Sequence, residues 1–294
     1  MASACTGRSA LLACAAGTAA GAAAATSSVP LGQGAIAGVA ALFFAGSNLV
    51  PSEADSMAVL SASCAGVGFF LGFGAGAAVE AFLALSSGRG DDAWAALPIP
   101  VFLVLVMLFH VVEFAFVVFH HPQDLTFRSL MLTPVPAGGY SIAMIAALAE
   151  NLLEAQLPAM PAPVIAVRHG ILVAGLVLGL LGWALRALAL FTAQSNFTHL
   201  VAHRKQANHV LVTEGVYKLC RHPGYLGWFV WSVSTQLVLA NPFCFAAYFA
   251  VSWKFFADRI PGEEELLVDF FGEQYLAYAS RVPCGIPGIS WLNI

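Results

Sequence analysis

Charge is scarce in this chain. Asp, Glu, Lys and Arg make up 10% of its 294 residues, against about 25% in an ordinary soluble domain. Hydrophobic residues make up 60% of the chain, which is more than the core of a soluble protein of this length can bury. The long uncharged runs match the roughly 20 residues that a helix needs to cross about 30 Å of hydrocarbon. The composition therefore excludes an ordinary soluble enzyme and predicts a protein of the lipid bilayer.

Basic clusters and cysteine pairs are also missing. The 12 Lys and Arg residues are scattered, so the chain has no basic stripe for a phosphate backbone, and nucleic acid is not an expected partner. The six cysteines form no C-x-x-C pair, which argues against a metal site and against a disulfide framework. Gly68, Gly72 and Gly76 recur at four-residue spacing, which predicts close helix packing in lipid and not nucleotide binding.

Apolar runs dominate what is present, and they predict an all-α, polytopic integral membrane protein with about eight transmembrane helices. Asn241-Pro242, a turn signal, separates the last two runs and predicts a C-terminal helical hairpin. Residues 8–28 also fit a secretory signal peptide, as an alternative to a first span. The runs cover 10–26, 34–50, 57–87, 95–119, 138–157, 168–193, 224–240 and 243–257.

Basic residues favour one side of the membrane. If the spans alternate, the side of the C-terminus is the basic side and is cytosolic by the positive-inside rule. It then holds a polar connector at 194–223 and a tail at 258–294. Arg186 lies inside a span, where a cation is a functional candidate. Glu113 and His110 lie deep in another span, as a functional pair or as a hydrogen-bonded helix clamp. The basic-side residues are Arg8, Arg128, Arg204, Lys205, Lys218, Arg221, Arg259 and Arg281.

Four polar motifs follow Arg186, in the connector and the tail. They resemble, in order and spacing, the motifs of the isoprenylcysteine carboxyl methyltransferase family. Phe109-His110-x-x-Glu113, in the N-terminal half, resembles that family more weakly. The motifs are Ser195-Asn196-Phe197-x-His199, Leu211-Val212-Thr213-x-Gly215-Val216-Tyr217, Arg221-His222-Pro223-x-Tyr225-x-Gly227-Trp228 and Arg259-x-x-x-Glu263-Glu264-x-x-Leu267.

The resemblance implies a methyltransferase of the endoplasmic reticulum membrane with a cytosolic catalytic face. It would methylate the C-terminal carboxylate of prenylated CaaX proteins, such as small GTPases, with S-adenosyl-L-methionine and no metal. Residues 1–165 would be a scaffold and 166–294 the catalytic region. Arg259 would bind the substrate, and Arg259 and Arg186 would be catalytic. The implied cofactor-binding residues are His209, Val210, Leu211, Val212, Tyr217, His222, Pro223, Gly224, Tyr225 and Glu263.

Several alternatives stay open from the residues alone. The chain departs from the family pattern at Ala202, Trp183 and Ala187, which bears on the cofactor site and on the role of Arg186. Arg259 to Glu264 also fits a solvated helix start, whose acidic residues would interact favourably with the helix dipole. The nearest rivals in function are an NADPH-dependent sterol reductase and a phospholipid N-methyltransferase. A transporter is a further alternative, although its polar residues would be expected at the bilayer midplane.

Overall fold

The computed structural model describes residues 2–25, 36, 38–43, 57–87, 90–132, 139–158, 160–197 and 209–289. The predicted span at 34–50 therefore lies mostly outside the described residues. Regular structure in the described part is helical, as the sequence predicts. Short 3-10 segments at Pro122–Asp124, Phe127–Leu130, Gln194–Asn196 and Gly215–Lys218 join longer helices. The helices are α1 (Ala2–Ala25), α2 (Met57–Ser86), α3 (Gly90–Ala96), α4 (Pro98–His120), α5 (Gly139–Glu154), α6 (Ala162–Ala193), α7 (Pro223–Leu239), α8 (Pro242–Phe271) and α9 (Glu273–Ala279).

The chain divides into two compact units. The first comprises Met1–Val177 with Ser234–Phe245, and the second comprises Leu178–Val233 with Ala246–Ile294. Helices α6, α7 and α8 each contribute to both units. Most of the cytosolic connector and tail predicted from the sequence belong to the second unit.

Three helices within the described ranges have the length and apolar composition to cross a membrane. They are Val59–Ser86, Ala93–His120 and Ala162–Asn196. The third is the least covered by protein, with 17% of its most apolar window buried. Several of its apolar side chains, such as Val173 and Leu181, are exposed.

Glycines bring α1 and α2 into backbone contact in the first unit. A Cβ added to Gly17 or Gly21 would collide with the α2 backbone, and one added to Gly68 or Gly72 would collide with the α1 backbone. Only residues without a side chain permit this approach. The packing role predicted for this four-residue spacing is therefore confirmed here.

His110 acts as a hydrogen-bonded clamp in the first unit. Its Nδ1 lies 2.9 Å from the carbonyl oxygen of Leu130, and its Nε2 lies 2.7 Å from the hydroxyl oxygen of Tyr140. A carbonyl only accepts, so Nδ1 carries the proton and Tyr140 donates to Nε2. The ring thus ties α4 to the 127–130 turn and to α5. For His110 the contacts favour the clamp over the functional alternative.

Glu150 and Asn241 fix the turn between α7 and α8, also within the first unit. The Glu150 carboxylate accepts hydrogen bonds from the backbone N–H groups of Phe243 at 2.8 Å and Cys244 at 2.7 Å. An acidic group at a helix N-terminus satisfies donors that have no partner within the helix. The Asn241 amide donates to the carbonyl oxygen of Ala147 at 2.8 Å. The turn signal seen in the sequence therefore has specific partners on α5.

Two helices depart from the apolar runs that predict them. Helix α6 begins at Ala162, before the predicted start at 168, and its Arg168 forms an ion pair with Glu154 at 2.8 Å. Helix α8 continues past the predicted end at 257 to Phe271, with Pro261 in its interior. Arg259 to Glu264 therefore does not start a helix. This stretch lies inside α8, so the alternative interpretation of it as a solvated helix start is wrong.

Candidate functional site

One open cavity in the second unit collects the polar motifs. Its cavity volume is about 170 Å³, below the roughly 300–1,000 Å³ typical of ligand sites, and it opens to solvent on one side. Three stretches of chain form its wall: the end of α6 with the turn after it, residues 209–225, and the ends of α8 and α9. The lining residues are Ala193, Asn196, Phe197, His209, Val210, Leu211, Val212, Tyr217, Arg221, His222, Pro223, Gly224, Tyr225, Glu263, Leu266, Leu267, Phe270, Phe271, Tyr275 and Tyr278.

All ten residues assigned from the sequence to the cofactor line this cavity. Arg259 and Arg186 are not among the lining residues, but each contacts one that is. His199 and Ala202 lie outside the described residues. The sequence did not single out Asn196, Phe197 or the apolar and aromatic side chains of the tail as site residues. Asn196 and Phe197 stand in the first polar motif, and the signal for the tail is the aromatic spacing of Phe270, Phe271, Tyr275 and Tyr278.

Backbone geometry positions the segment 209–217. The Val210 N–H donates to the Asn196 side-chain oxygen at 2.8 Å, which holds this extended stretch against the end of α6. Gly215 then turns the chain with a φ of +57°, a conformation that favours glycine. The Tyr278 hydroxyl donates to the carbonyl oxygen of Tyr217 at 2.6 Å. Burial raises the pKa of Tyr217, so its hydroxyl is a neutral donor at physiological pH.

A buried ion-pair cluster, here called the Arg221 clamp, consists of Arg221, His222 and Glu264. Arg221 donates to the two Glu264 carboxylate oxygens at 2.7 and 3.1 Å, and His222 Nε2 donates to one of them at 3.0 Å. Arg221 also donates to the carbonyl oxygens of Ala279 at 3.2 Å and Val282 at 2.6 Å. The clamp therefore ties the connector to α8 and to the chain that follows α9.

The charges of the clamp stabilise each other. Burial alone would raise the pKa of Glu264, but hydrogen bonds from His222 and Arg221 outweigh it and lower that pKa. Burial alone would likewise lower the pKa of Arg221, and Glu264 reverses the direction. Glu264 is fully buried, whereas Glu263 beside it faces the cavity. The sequence assigned a role to Glu263 and missed the role of Glu264.

His222, Glu264 and Cys284 also have the donor types of a metal site. Their ligand atoms lie within 4.8 Å of one another, and all three residues are buried. Both Glu264 oxygens, however, already accept hydrogen bonds from the Arg221 guanidinium. A fixed positive charge at this carboxylate opposes the binding of a cation. The cluster therefore fits an ion-pair network better than a metal site.

Tyr225 connects Arg259 with Glu263 at the edge of the cavity. Arg259 Nε donates to the Tyr225 hydroxyl oxygen at 2.8 Å, and the Tyr225 hydroxyl donates to the Glu263 carboxylate. The Arg259 guanidinium also lies over the rings of Tyr225, at 5.5 Å, and Phe255, at 5.7 Å. A cation, a phenol and a carboxylate thus form one chain of contacts.

Arg186 lies beside the first turn of α7. Its Nη1 donates to the Gly224 carbonyl oxygen at 3.3 Å, and its guanidinium lies 4.9 Å from the centre of the Phe197 ring. Helices α6 and α7 approach closely here, because a Cβ on Gly182 would lie 2.8 Å from the carbonyl oxygen of Gly227. Arg186 therefore supports a stretch of the cavity wall, and its catalytic role stays a prediction.

Comparisons with known proteins agree with this geometry. Residues 174–269 match the family model of the isoprenylcysteine carboxyl methyltransferase (ICMT) family. Protein-S-isoprenylcysteine O-methyltransferase of Rattus norvegicus is 40% identical over 187 residues, which are 64% of this chain and 64% of that protein. Protein-S-isoprenylcysteine O-methyltransferase B of Arabidopsis thaliana is 39% identical over 186 residues, which are 63% of this chain and 90% of that protein. The chain belongs to the isoprenylcysteine carboxyl methyltransferase family.

A solved structure extends the likeness to the whole fold. It is that of a eukaryotic intramembrane Ras methyltransferase, ICMT, with a TM-score of 0.75 and 30% identity over 97% of this chain and 98% of that one. This likeness, with the apolar helices, makes the chain a multi-pass membrane protein of the ICMT fold. The family-model match includes Arg186, the Arg221 clamp, Arg259 and Glu263. Tyr275 and Tyr278 lie beyond that match but line the same cavity.

Proposed function

We propose that this chain transfers the methyl group of S-adenosyl-L-methionine to the C-terminal carboxylate of a prenylated cysteine, giving a methyl ester. The observation that carries the proposal is the cavity of the second unit, which is lined by all ten expected cofactor residues and has Arg259 at its edge. The relatives' names support the same reaction.

The residues of the cavity fit the methyl donor. Glu263 supplies a carboxylate for a cationic group, and the half-buried Tyr217 hydroxyl, which donates to the Ala189 carbonyl oxygen at 3.3 Å, can accept a hydrogen bond. Leu266, Phe270 and Phe271 provide an apolar wall for an adenine ring. When bound, S-adenosyl-L-methionine supplies an electrophilic methyl group on a sulfonium centre. The chemistry calls for no metal, and we propose that none takes part.

Arg259 is assigned to the acceptor carboxylate. A terminal carboxylate has a pKa of about 3.5, so it is ionised at neutral pH and needs no general base. A guanidinium can fix a planar carboxylate in one orientation. Orientation and exclusion of water then supply most of the rate enhancement for an in-line displacement. Arg186, through Gly224, keeps the facing wall in place.

The proposal includes the setting of the reaction. About eight spans, with α7 and the start of α8 as a hairpin, would place the connector and tail on the cytosolic face of the endoplasmic reticulum membrane. Residues 1–165 would serve as scaffold and 166–294 as the catalytic region. The acceptors would be prenylated CaaX proteins, including small GTPases. A prenyl chain resides in the bilayer, which accounts for an embedded enzyme.

The test is transfer of radiolabelled methyl from S-adenosyl-L-methionine to N-acetyl-S-farnesylcysteine in membranes that contain the chain. We expect a base-labile methyl ester, and a loss of about 100-fold or more in Arg259→Ala because the acceptor charge loses its partner. Arg281→Ala is the matched control, since Arg281 is exposed and bonds within its own helix end. Absence of ester from intact wild-type protein would overturn the proposal and favour a reductase or a lipid methyltransferase.

A further inference from the structure

We propose that Tyr225 is a positioning residue, whose hydroxyl group fixes the Arg259 guanidinium for the acceptor carboxylate and keeps it from pairing directly with Glu263. The inference rests on the proposed function, because that function assigns Arg259 to the acceptor and Glu263 to the methyl donor. It adds a role for Tyr225 that cofactor binding does not require.

Arg259 needs such a support because its side chain is long and partly exposed. Its side chain is 23% exposed, and an arginine in that position ordinarily samples several rotamers. The 2.8 Å hydrogen bond from Nε to the Tyr225 hydroxyl fixes one edge of the planar guanidinium. The rings of Tyr225 and Phe255 then hold its face. Together these contacts fix the plane of the guanidinium.

Tyr225 is itself held firmly. Its ring lies parallel to the imidazole of His222, with centroids 5.5 Å apart and an angle of 1°. Phe256 packs against it with a centroid distance of 4.9 Å. Because His222 belongs to the Arg221 clamp, the orientation of Tyr225 is fixed by a buried network. The order of support therefore runs from the clamp through Tyr225 to Arg259.

The hydroxyl also separates two opposite charges. Arg259 Nε lies 3.9 Å from a Glu263 carboxylate oxygen, too far for a hydrogen bond but close enough for strong attraction. Tyr225 accepts from Arg259 and donates to Glu263, so it satisfies both groups. Without the hydroxyl, the guanidinium and carboxylate can close into a direct ion pair. Arg259 would then be turned away from the acceptor.

The test is a double-mutant cycle on the purified full-length chain. The measured quantity is the equilibrium dissociation constant of N-acetyl-S-farnesylcysteine without methyl donor, in wild type, Tyr225→Phe, Arg259→Lys and the double variant. Tyr225→Phe keeps both ring contacts, and we expect it to weaken acceptor binding by roughly tenfold, as for loss of a hydrogen bond to a charged group. In the Arg259→Lys background, which lacks the guanidinium, the same change should have less than about a twofold effect.

Two further variants separate positioning from a general loss of stability. Tyr140→Phe removes another buried tyrosine hydroxyl, the partner of His110 in the first unit, and should lower the melting temperature without changing acceptor affinity. Should Tyr225→Phe not fold, 3,5-difluorotyrosine at position 225 keeps the shape and lowers the pKa of the hydroxyl. Fluorine also withdraws electrons from that oxygen and weakens it as an acceptor for Arg259, so acceptor affinity should fall at neutral pH.

The outcomes distinguish this inference from the proposed function. Equal acceptor affinity in wild type and Tyr225→Phe would overturn it, as would the same loss in both arginine and lysine backgrounds. An unchanged acceptor affinity in the fluorinated protein would do so as well. In each of these cases a wild type that still forms methyl ester leaves the proposed function standing. A wild type that forms no ester refutes the proposed function first.

Discussion

Glu264 offers the sharpest test of how the cavity is held together. Its carboxylate is fully buried and accepts three hydrogen bonds, two from Arg221 and one from His222. Substitution Glu264→Gln keeps the shape but leaves Arg221 as a buried, uncompensated cation. Removing one partner of a buried pair costs about 3–5 kcal/mol. Glutamine still offers one oxygen as acceptor, so we expect a cost near 3 kcal/mol.

The assay is thermal unfolding of the purified chain in detergent micelles. A loss of about 3 kcal/mol corresponds to a melting temperature lower by about 6–12 °C. Glu265→Gln is the matched control, because Glu265 is the next residue of α8 and is exposed. That change should alter stability by less than about 0.5 kcal/mol. A change of 1 kcal/mol corresponds to roughly 2–4 °C for a chain of this size. The assigned clamp would therefore be refuted if the two variants had melting temperatures within about 2 °C of each other.

The pH dependence has a definite sign. The pKa of Glu264 is lower in the folded protein than its unfolded value of about 4.3. Its stabilising contribution is therefore fully present above that unfolded value, and it is lost as the pH falls through the lower, folded pKa. We expect wild-type stability to decline over this acid range more steeply than that of Glu264→Gln. Parallel acid curves for the two proteins would contradict the direction.

Two further predictions concern the wall of the cavity. Gly182→Ala places a Cβ 2.5 Å from the backbone nitrogen of Trp231, so α6 and α7 must separate. We expect the free energy of unfolding to fall by about 1–3 kcal/mol and methyl transfer to weaken. Gly170→Ala in the same helix is the control, because its Cβ meets nothing within 4 Å and should be tolerated. Asn196→Ala removes the acceptor of the Val210 N–H, and we expect about fivefold weaker binding of S-adenosyl-L-methionine by equilibrium dialysis, with an unchanged value counting against that role.

The long apolar helices were predictable because their signal is local. Helix α4 (Pro98–His120) follows the run at 95–119 closely, since a membrane span is defined by length and hydropathy. Helix α8 was predicted too short, because Pro261 ordinarily interrupts a helix and its neighbours are polar. Helix α6 likewise begins at Ala162, earlier than the predicted start at 168, and its Arg168 pairs with Glu154. Such partners lie elsewhere in the chain, so composition alone does not reveal them.

The cavity was predictable only through motif resemblance. The resemblance selected ten lining residues, including Glu263, but a contact between Arg221 and Glu264 spans 43 positions and has no local signature. Tyr275 and Tyr278 were not predicted as site residues for a related reason. They follow the last motif, and aromatic residues on a short helix more often signal a core than a ligand site. Three-dimensional packing brings both to the same cavity.

The adjacent glutamates of α8 show that the function of each side chain depends on its exact position along this helix. Successive residues of an α-helix point about 100° apart, and here one carboxylate faces the cavity while its neighbour is locked in the protein interior. One residue inserted upstream, for example after Gly262, would turn Glu263 into the interior position and Glu264 to the exposed position that Glu265 now holds. Substitutions are therefore the only changes by which this stretch can drift in evolution, and insertions or deletions should be eliminated there even where the bilayer-facing surface varies freely.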